Sequence, residues 1–144
     1  MPNKICRIIL DTNLWISFLI SKDLSKLDEI LFEKKAVLVF SKELLDDFLE
    51  VAKRPKFRKF FSKTAVENIL ETIDEYADLV IVKSKITICR DPKDNFLLSL
   101  AKDGKADFLL TGDSDLLDIG VFGKTSITTI SDFLSDKESK ISNR

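Results

Sequence analysis

Residues 8–13 have the sequence IILDTN, in which an apolar run ends directly at Asp11. The apolar residues 5–10 predict a buried strand, and the residues after Asp11 predict a helix. Two further segments, DPKDN at residues 91–95 and TGDSD at residues 111–115, place aspartates at similar junctions between a strand and a helix. A parallel α/β sheet gathers the carboxyl ends of its strands at one edge, and ligand sites form outside those ends. These three segments are therefore expected to meet in one carboxylate pocket.

Strand and helix patterns alternate along the rest of the chain, which predicts an α/β fold. A third strand is expected over residues 79–88, and Ser41 is predicted to cap a helix that ends near Arg54-Pro55, because proline restricts the residue before it. Residues 1–135 are expected to form one domain, and residues 136–144 a polar tail that frays. The remaining strands are predicted at residues 5–10, 37–40, 108–110 and 127–130, and the remaining helices at residues 14–20, 24–32, 65–76 and 96–101.

The composition excludes several classes of chemistry. The 144 residues include no histidine, which rules out imidazole bases, Ser-His-Asp triads and histidine metal sites. The two cysteines, Cys6 and Cys89, lack metal-site spacing and are too few for a disulfide scaffold, so both are expected to be reduced packing residues. The N-terminus has neither signal-peptide architecture nor the ~18 apolar residues that a membrane span requires. A cytoplasmic protein without a membrane partner is therefore expected.

One stretch of the chain concentrates basic residues among aromatic ones. Residues 53–61 have the sequence KRPKFRKFF, whereas the whole chain has a formal net charge of -1. Cations interleaved with aromatic rings can hold phosphates and stack bases, which makes Arg54, Lys56 and Arg58 candidate nucleic-acid contacts. The alternative is a solvated helix face that packs its phenylalanines inward, and the stretch alone favours neither interpretation.

Local structure alone could explain several of the aspartates. Asp11 could simply cap the helix that follows it, and Asp91 precedes Pro92 as an N-cap precedes a proline in the first helical turn. Asp94 differs, because on a helix it would lie above the inward-facing apolar stripe. A carboxylate that faces the core is normally paired, protonated or bound to a metal, so Asp94 favours a functional interpretation.

Three other acids are open to similar alternatives. Asp113 and Asp115 follow the predicted strand at residues 108–110 through a glycine turn. One acid is enough to form and cap such a turn, so a structural role does not explain both. Asp47 is the acid closest to the apolar stripe of the helix after Ser41, at a position that could equally be a solvated edge. The D-x-D pattern does not match a calcium EF-hand loop, which needs a glycine at its sixth position.

Taken together, the acids predict a metal site. Carboxylates and hydroxyls are hard oxygen ligands that suit Mg²⁺ or Mn²⁺, which bind through a few carboxylates and substrate phosphate oxygens. Such an ion lowers the pKa of a bound water, orients its attack and neutralises charge on a phosphodiester. The sequence therefore favours metal-dependent phosphodiester cleavage.

Four segments also match the motifs of a known family. They are DTN at residues 11–13, the helix after Ser41 that runs into RPKF at residues 54–57, RDPKDN at residues 90–95 with Ala101, and TGDSDLL at residues 111–117. Together they make nearly the whole chain resemble PIN domains, and most closely the prokaryotic putative toxins related to VapC-type ribonucleases of toxin–antitoxin modules. The resemblance implies a three-layer α/β/α fold with a central, mainly parallel sheet of about five strands.

The resemblance also implies roles for individual residues. By position, the acids that bind metal and catalyse would be Asp11, Asp94 and Asp113, with Asp115 supporting the metal site. The family's second acid is usually a glutamate before an apolar residue, and the matching pair here is Asp47-Phe48, whose carboxylate is one methylene shorter. The positions that would order the pocket are Thr12, Asn13, Ser41 and Thr111.

The family further implies a single-stranded or structured RNA substrate, Mg²⁺ or Mn²⁺ as cofactor, a homodimer, and a cognate antitoxin that covers the cleft. The predicted function is a metal-dependent endoribonuclease that acts as a toxin, in which Arg54, Lys56 and Arg58 position phosphates without specifying sequence. One alternative is a phosphohydrolase with Asp11 as nucleophile, although Asn13 stands where such enzymes carry an acid–base aspartate. The other is a non-catalytic module that binds metal, RNA or a protein partner without turnover.

Overall fold

A six-stranded sheet organises the chain, in a computed structural model that describes residues 6–21, 25, 29 and 36–135. The strands are β1 (Cys6–Leu10), β2 (Ala36–Phe40), β3 (Ala77–Leu79), β4 (Phe108–Leu110), β5 (Val121–Phe122) and β6 (Thr125–Thr128). Their order is β3-β2-β1-β4-β6-β5, and each neighbouring pair is parallel except β5 and β6. This confirms the predicted α/β fold with a mainly parallel sheet.

Helices cover this sheet in an arrangement consistent with a three-layer α/β/α fold. α1 (Thr12–Ser21) packs against α2 (Lys42–Ala52), α2 packs against α4 (Asn95–Asp103), and α3 (Lys63–Tyr76) packs against β2 and β3. Two shorter helices, α5 (Ser114–Leu117) and α6 (residues 130–135), and 3-10 turns at Arg58–Phe60 and Pro92–Asp94 complete the described elements. The helix predicted at residues 24–32 lies outside the described residues except for 25 and 29, and so does the predicted tail at residues 136–144.

The sheet has one strand more than the sequence predicts. β5 is only two residues long, too short to produce an alternating pattern, and it pairs with β6 across a turn in which Gly123 has a φ of 61°. The strand predicted at residues 127–130 corresponds to β6, which begins and ends earlier, at Thr125 and Thr128.

The third strand is wrongly predicted at residues 79–88. β3 ends at Leu79, and after the Val80 N–H donates to the Phe40 carbonyl at 2.7 Å the chain leaves the sheet. Side chains of α4 then accept the backbone hydrogen bonds: Asp103 from Lys83 and Ser84 at 2.6 and 2.8 Å, Ser99 from Ile86 at 3.0 Å, and Asn95 from Cys89 at 2.9 Å. A helix thus satisfies backbone donors that the apolar pattern assigned to a sheet.

Ser41 begins α2 as predicted, because its hydroxyl accepts from the Leu44 N–H at 3.1 Å. The helix ends at Ala52, just before Arg54-Pro55, also as predicted. Its apolar side packs into a core that is centred on β1 and β4, whose residues Ile8, Ile9, Leu10, Leu109 and Leu110 are almost fully buried.

Gly104→Ala is expected to lower the free energy of unfolding by about 1–3 kcal/mol, the usual cost of overpacking. A methyl group on Gly104 would lie 2.8 Å from both the Leu100 carbonyl oxygen and Val39 Cγ1. Gly112→Ala is the matched control, because no heavy atom lies within 4 Å of its added methyl group. Urea unfolding of both variants measures the difference, and equal stabilities would contradict this packing.

Candidate metal centre

The site begins where β1 and β4 end side by side. Their parallel register pairs Leu10 with Leu110, so the next residues, Asp11 and Thr111, are neighbours. The Asp11 N–H donates to the Leu110 carbonyl at 3.0 Å, and the Thr111 hydroxyl donates to Asp11 Oδ2 at 2.7 Å. Asp11 is 8% exposed and Thr111 is 1% exposed. Sheet register therefore joins two side chains that are 100 positions apart in sequence.

Thr111 also positions Asp113. The Thr111 hydroxyl oxygen accepts from the Asp113 N–H at 3.0 Å. Asp113 in turn caps α5, because its Oδ1 accepts from the Asp115 N–H at 2.8 Å. One buried hydroxyl group therefore links the Asp11 carboxylate to the backbone of Asp113. Asp113 has the structural role expected of an aspartate in a turn and also belongs to the acidic cluster.

Asp94 has surroundings that strongly disfavour its charge. Its Oδ2 atom is buried and has no hydrogen-bond partner among the described residues. Burial, followed by contact with the Asp113 carboxyl group and its charge, raises the pKa of Asp94 from 3.8 to about 7, and the charges of Asp11 and Asp91 act in the same direction. A cation among these oxygens would relieve the same repulsion.

Asp11 has a raised pKa for the same leading reason. Burial raises the pKa of Asp11, while hydrogen bonds from the Thr111 hydroxyl and from the backbone of Asn13 and Thr12 oppose the shift. The backbone carbonyl of Asp11 also accepts from the Leu14 N–H at 3.0 Å, so the residue supports the start of α1. Its helix-starting role and its place in the cluster are thus compatible.

Asp47 reaches the cluster from α2, which packs against α1. The buried Thr12 hydroxyl donates to Asp47 Oδ2 at 2.6 Å. Asn13, the next residue along α1, is exposed and borders the same cavity. The contact between the two helices therefore holds a further carboxylate beside those at the strand ends.

These side chains line an open cavity of about 220 Å³. Five of its lining residues are carboxylic acids and two are cations, so the cavity has an excess of negative charge. The donors are hard oxygen atoms, and Asp94 Oδ2 lacks a hydrogen-bond partner within the described part of the chain, so the residues fit a divalent ion of the Mg²⁺ or Mn²⁺ type. The full lining is Asp11, Thr12, Asn13, Asp47, Val51, Arg54, Asp91, Lys93, Asp94, Phe96 and Asp113.

Asp115 belongs to a second group of acids that also contains Asp94. Carboxylate oxygens of Asp91, Asp94 and Asp115 lie within 4.8 Å of one another. Asp115 forms an ion pair with Arg90 at 2.9 Å and is not among the lining residues of the cavity. Asp94 therefore has acids on more than one side, and Arg90 partly neutralises the group that includes Asp115.

Ser41 does not reach the cavity. The side chain is fully buried, and its hydroxyl is used to cap α2. Its effect on the site is therefore indirect: it begins the helix that carries Asp47.

The predicted nucleic-acid contacts divide between two places. Arg54 lines the acidic cavity, Arg58 lines a separate cavity, and Lys56 lines neither. Phe61 packs inward and is 8% exposed, whereas Phe60 is 38% exposed. Exposed cations and a ring that joins the core match the solvated face with inward phenylalanines, while the predicted nucleic-acid contacts stay a prediction.

Sequence patterns missed Lys93 at the cavity and assigned Asp91 only to capping. Asp91 does cap, because its Oδ1 accepts from the Lys93 N–H at 3.0 Å, but both residues also line the cavity. Their position in the same turn as Asp94 is the signal that could have found them, since a single helical turn brings its residues into one neighbourhood.

The fold and the cavity define an α/β protein with an acidic cavity at the carboxyl ends of its parallel strands. The chain belongs to the PIN domain family, whose family model matches residues 7–115. That range includes Asp11, Asp47, Asp94 and Asp113, and the match confirms the resemblance to PIN domains. The chain is also similar to an archaeal protein, "Uncharacterized protein MJ1680" of Methanocaldococcus jannaschii, with 28% identity over 116 residues that cover 78% of this chain and 74% of that protein.

PIN domains are generally metal-dependent nucleases that act on RNA or other nucleic acids. The acidic cavity is compatible with the divalent metals that such nucleases use. Among the helices that the structure describes, none combines the length and the apolar character needed to cross a bilayer. Family and site thus agree on a nuclease-type fold with a possible metal centre.

Proposed function

We propose that this protein is a divalent-metal-dependent endoribonuclease that hydrolyses RNA phosphodiester bonds. The observation that carries the proposal is the cluster of Asp11, Asp94 and Asp113, in which burial and repulsion raise the pKa of Asp94 to about 7. Crowded, buried carboxylates destabilise a fold unless a proton or a cation neutralises them. Membership of the PIN domain family supports a nuclease as the function that requires this cluster.

In this proposal Asp11, Asp94 and Asp113 would hold Mg²⁺ or Mn²⁺ through carboxylate oxygens, and Asp115 would support the site from its position near Asp94. When bound, the ion lowers the pKa of a water and neutralises charge on the phosphate oxygens. Thr111 fixes the separation of two of the ligands, because its hydroxyl contacts both the Asp11 carboxylate and the Asp113 backbone.

Asp47 is proposed to accept the proton of the attacking water. The Thr12 hydroxyl donates to Asp47 Oδ2 and orients the Asp47 carboxylate. The Asp47 side chain is one methylene shorter than that of a glutamate, which would favour contact with the ion through water. Hydrolysis forms a bond between the water oxygen and phosphorus and breaks the bond from phosphorus to the leaving ribose oxygen. The leaving oxygen takes up a proton, so one proton enters the site at Asp47 and one is returned to the product.

The cations at the cavity are proposed to orient the RNA backbone. Arg54 and Lys93 line the same cavity as the acids and would contact the phosphates next to the bond that is cleaved. Lys56 and Arg58 lie further along the basic stretch and would contact neighbouring phosphates. Contacts of this kind position a strand without specifying its sequence.

The sequence resemblance extends the proposal to a biological role. Its motifs match those of prokaryotic putative toxins, which supports a cytoplasmic homodimer that is the toxin of a type II toxin–antitoxin system and is inhibited by a cognate antitoxin. The cavity is open, so a bound protein could cover it. Growth arrest on expression of the wild-type chain, relieved by co-expression of a neighbouring short reading frame, is the expected outcome.

The direct test is cleavage of a mixed RNA pool by protein purified free of any antitoxin. We expect cleavage in Mg²⁺ or Mn²⁺, loss of cleavage in EDTA, and loss in Asp11→Asn. The matched control is Asp46→Asn, which removes an exposed carboxylate from α2 outside the cavity. Cleavage that survives in Asp11→Asn would contradict the proposed site, and metal binding without cleavage of any RNA would support a non-catalytic module instead.

A further inference from the structure

A second cavity lies at the C-terminal end of α2. It has a volume of about 280 Å³ and is lined by Leu49, Ala52, Lys53, Arg58, Phe61 and Val66. Four of these residues are apolar, two are exposed cations, and none is acidic. This chemistry is the opposite of the acidic cavity, so the two cavities suit different parts of a ligand.

The walls of the second cavity are held by defined contacts. Phe61 is buried and packs edge-on against Phe48, with ring centres 6.3 Å apart. The Arg58 N–H donates to the Arg54 carbonyl at 3.0 Å, and the Val66 N–H donates to the Ser62 carbonyl at 3.0 Å. The cavity is therefore formed by ordered backbone turns around a ring that belongs to the core.

Neighbouring residues of one short segment line the two cavities. Val51 and Arg54 line the acidic cavity, whereas Ala52 and Lys53, which lie between them in sequence, line the second. Consecutive Cα atoms are about 3.8 Å apart, so Lys53 of the second cavity and Arg54 of the acidic cavity are backbone neighbours. An RNA strand bound at one cavity would therefore need to extend only along this segment to reach the other.

We propose that the second cavity is a subsite for one unpaired nucleobase of the RNA strand, whose adjoining phosphate lies between Lys53 and Arg54. This inference rests on the proposed nuclease function. The cavity is slightly smaller than the ~300–1,000 Å³ of sites for drug-sized ligands, a size suited to a single base. Its apolar walls can pack against the base, while its cations neutralise the phosphate that the base necessarily brings with it.

The other rings of the basic stretch are less available to a base. Lys56 Nζ lies 4.9 Å from the centre of the Phe57 ring, and Lys59 Nζ lies 5.2 Å from the centre of the Phe60 ring. These rings are already covered on one face by their own cations. The cavity at Phe61 instead offers apolar surface inside a concave site, which selects for a base over an isolated phosphate.

The test compares binding of two fluorescein-labelled probes in EDTA, where no cleavage occurs: a short single-stranded RNA of mixed sequence, and a ribose-phosphate chain of equal length without bases. Wild-type protein is expected to bind the RNA more tightly by about 10-fold, within the range that stacking of one base contributes. Val66→Phe fills the cavity and is expected to remove this preference while it retains binding of the abasic chain.

A pair of exposed residues provides a second measurement that does not depend on core packing. Arg58→Ala is expected to weaken RNA binding several-fold more than Lys59→Ala, because Lys59 lies in the same 3-10 turn but does not line the cavity. Equal effects, or a preference for base-bearing RNA that persists in Val66→Phe, would overturn the subsite even if RNA is cleaved. The preference would persist in Val66→Phe if the cavity instead bound an apolar side chain of a protein partner. Absence of both RNA binding and RNA cleavage would instead overturn the proposed function and the subsite together.

Discussion

Asp94→Asn is expected to stabilise the metal-free protein at about pH 8 and, at the same time, to lower metal affinity by about 100-fold or more. In the folded protein burial and the contact with Asp113 raise the pKa of Asp94 to about 7, against an ordinary value of 3.8. Above neutral pH the wild-type chain must hold this charge in a cluster that repels it, whereas asparagine is neutral. The same replacement removes a charged ligand, so stability and metal binding should change in opposite directions.

The sign of the pH dependence follows from the direction of the shift. Between about pH 4 and pH 7 the folded state keeps a proton on Asp94 that the unfolded state has released. The contribution of Asp94 to stability is therefore fully present below about pH 4, is lost as the pH rises through about 7, and changes little beyond that. The advantage of Asp94→Asn over wild type should accordingly be largest above neutral pH and fade as the pH falls.

Urea unfolding in EDTA across this pH range, together with calorimetric titration of Mn²⁺, measures both effects. Asp46→Asn is again the control, because it removes a carboxylate that is exposed and outside the cavity, and it should change neither quantity. An Asp94→Asn variant that is less stable than wild type at about pH 8 would mean that the charge of Asp94 is stabilised in the fold, contrary to the repulsion inferred here.

The sequence predicted the placement of the acids better than their contacts. Asp11 and Asp113 follow strands whose apolar runs are plain, and the alternation of strands and helices implies parallel pairing, so both were expected at one sheet edge. Asp94 was expected to face inward because of its position on a helix, and its Oδ2 atom is indeed buried. These inferences need only periodicity and topology.

Contacts that depend on register or on competition between partners were not predictable in this way. The bond from Thr111 to Asp11 requires the specific pairing of Leu10 with Leu110, which no local pattern contains. Residues 79–88 have the apolar content of a strand, yet Asp103 accepts from the backbone N–H groups of Lys83 and Ser84. Polar side chains of α4 accept backbone hydrogen bonds that a neighbouring strand would otherwise accept. Strand propensity alone does not include that competition.

Thr111→Val is expected to lower metal affinity by about 10- to 100-fold, although Thr111 is not itself proposed as a ligand. The hydroxyl of Thr111 donates to Asp11 Oδ2 at 2.7 Å and accepts from the Asp113 N–H at 3.0 Å. Valine has a similar shape but can neither donate nor accept a hydrogen bond, so both carboxylates lose the group that fixes their positions. The hydroxyl also lowers the pKa of Asp11, and its loss should raise that pKa further and strengthen competition between protons and metal.

Thr111→Ser separates this positioning role from packing. Serine keeps the hydroxyl but loses a buried methyl group, which should cost about 1 kcal/mol of unfolding free energy and leave metal affinity nearly unchanged. Thr111→Val should also lose about 1–3 kcal/mol, since the Asp113 N–H is left without its acceptor. Calorimetric titration of Mn²⁺ into both variants distinguishes the positioning role from the packing role. If Thr111 acted through packing alone, each variant would lose Mn²⁺ affinity in proportion to its loss of stability. Equal Mn²⁺ affinities of Thr111→Val and Thr111→Ser would show that the hydroxyl does not organise the ligands.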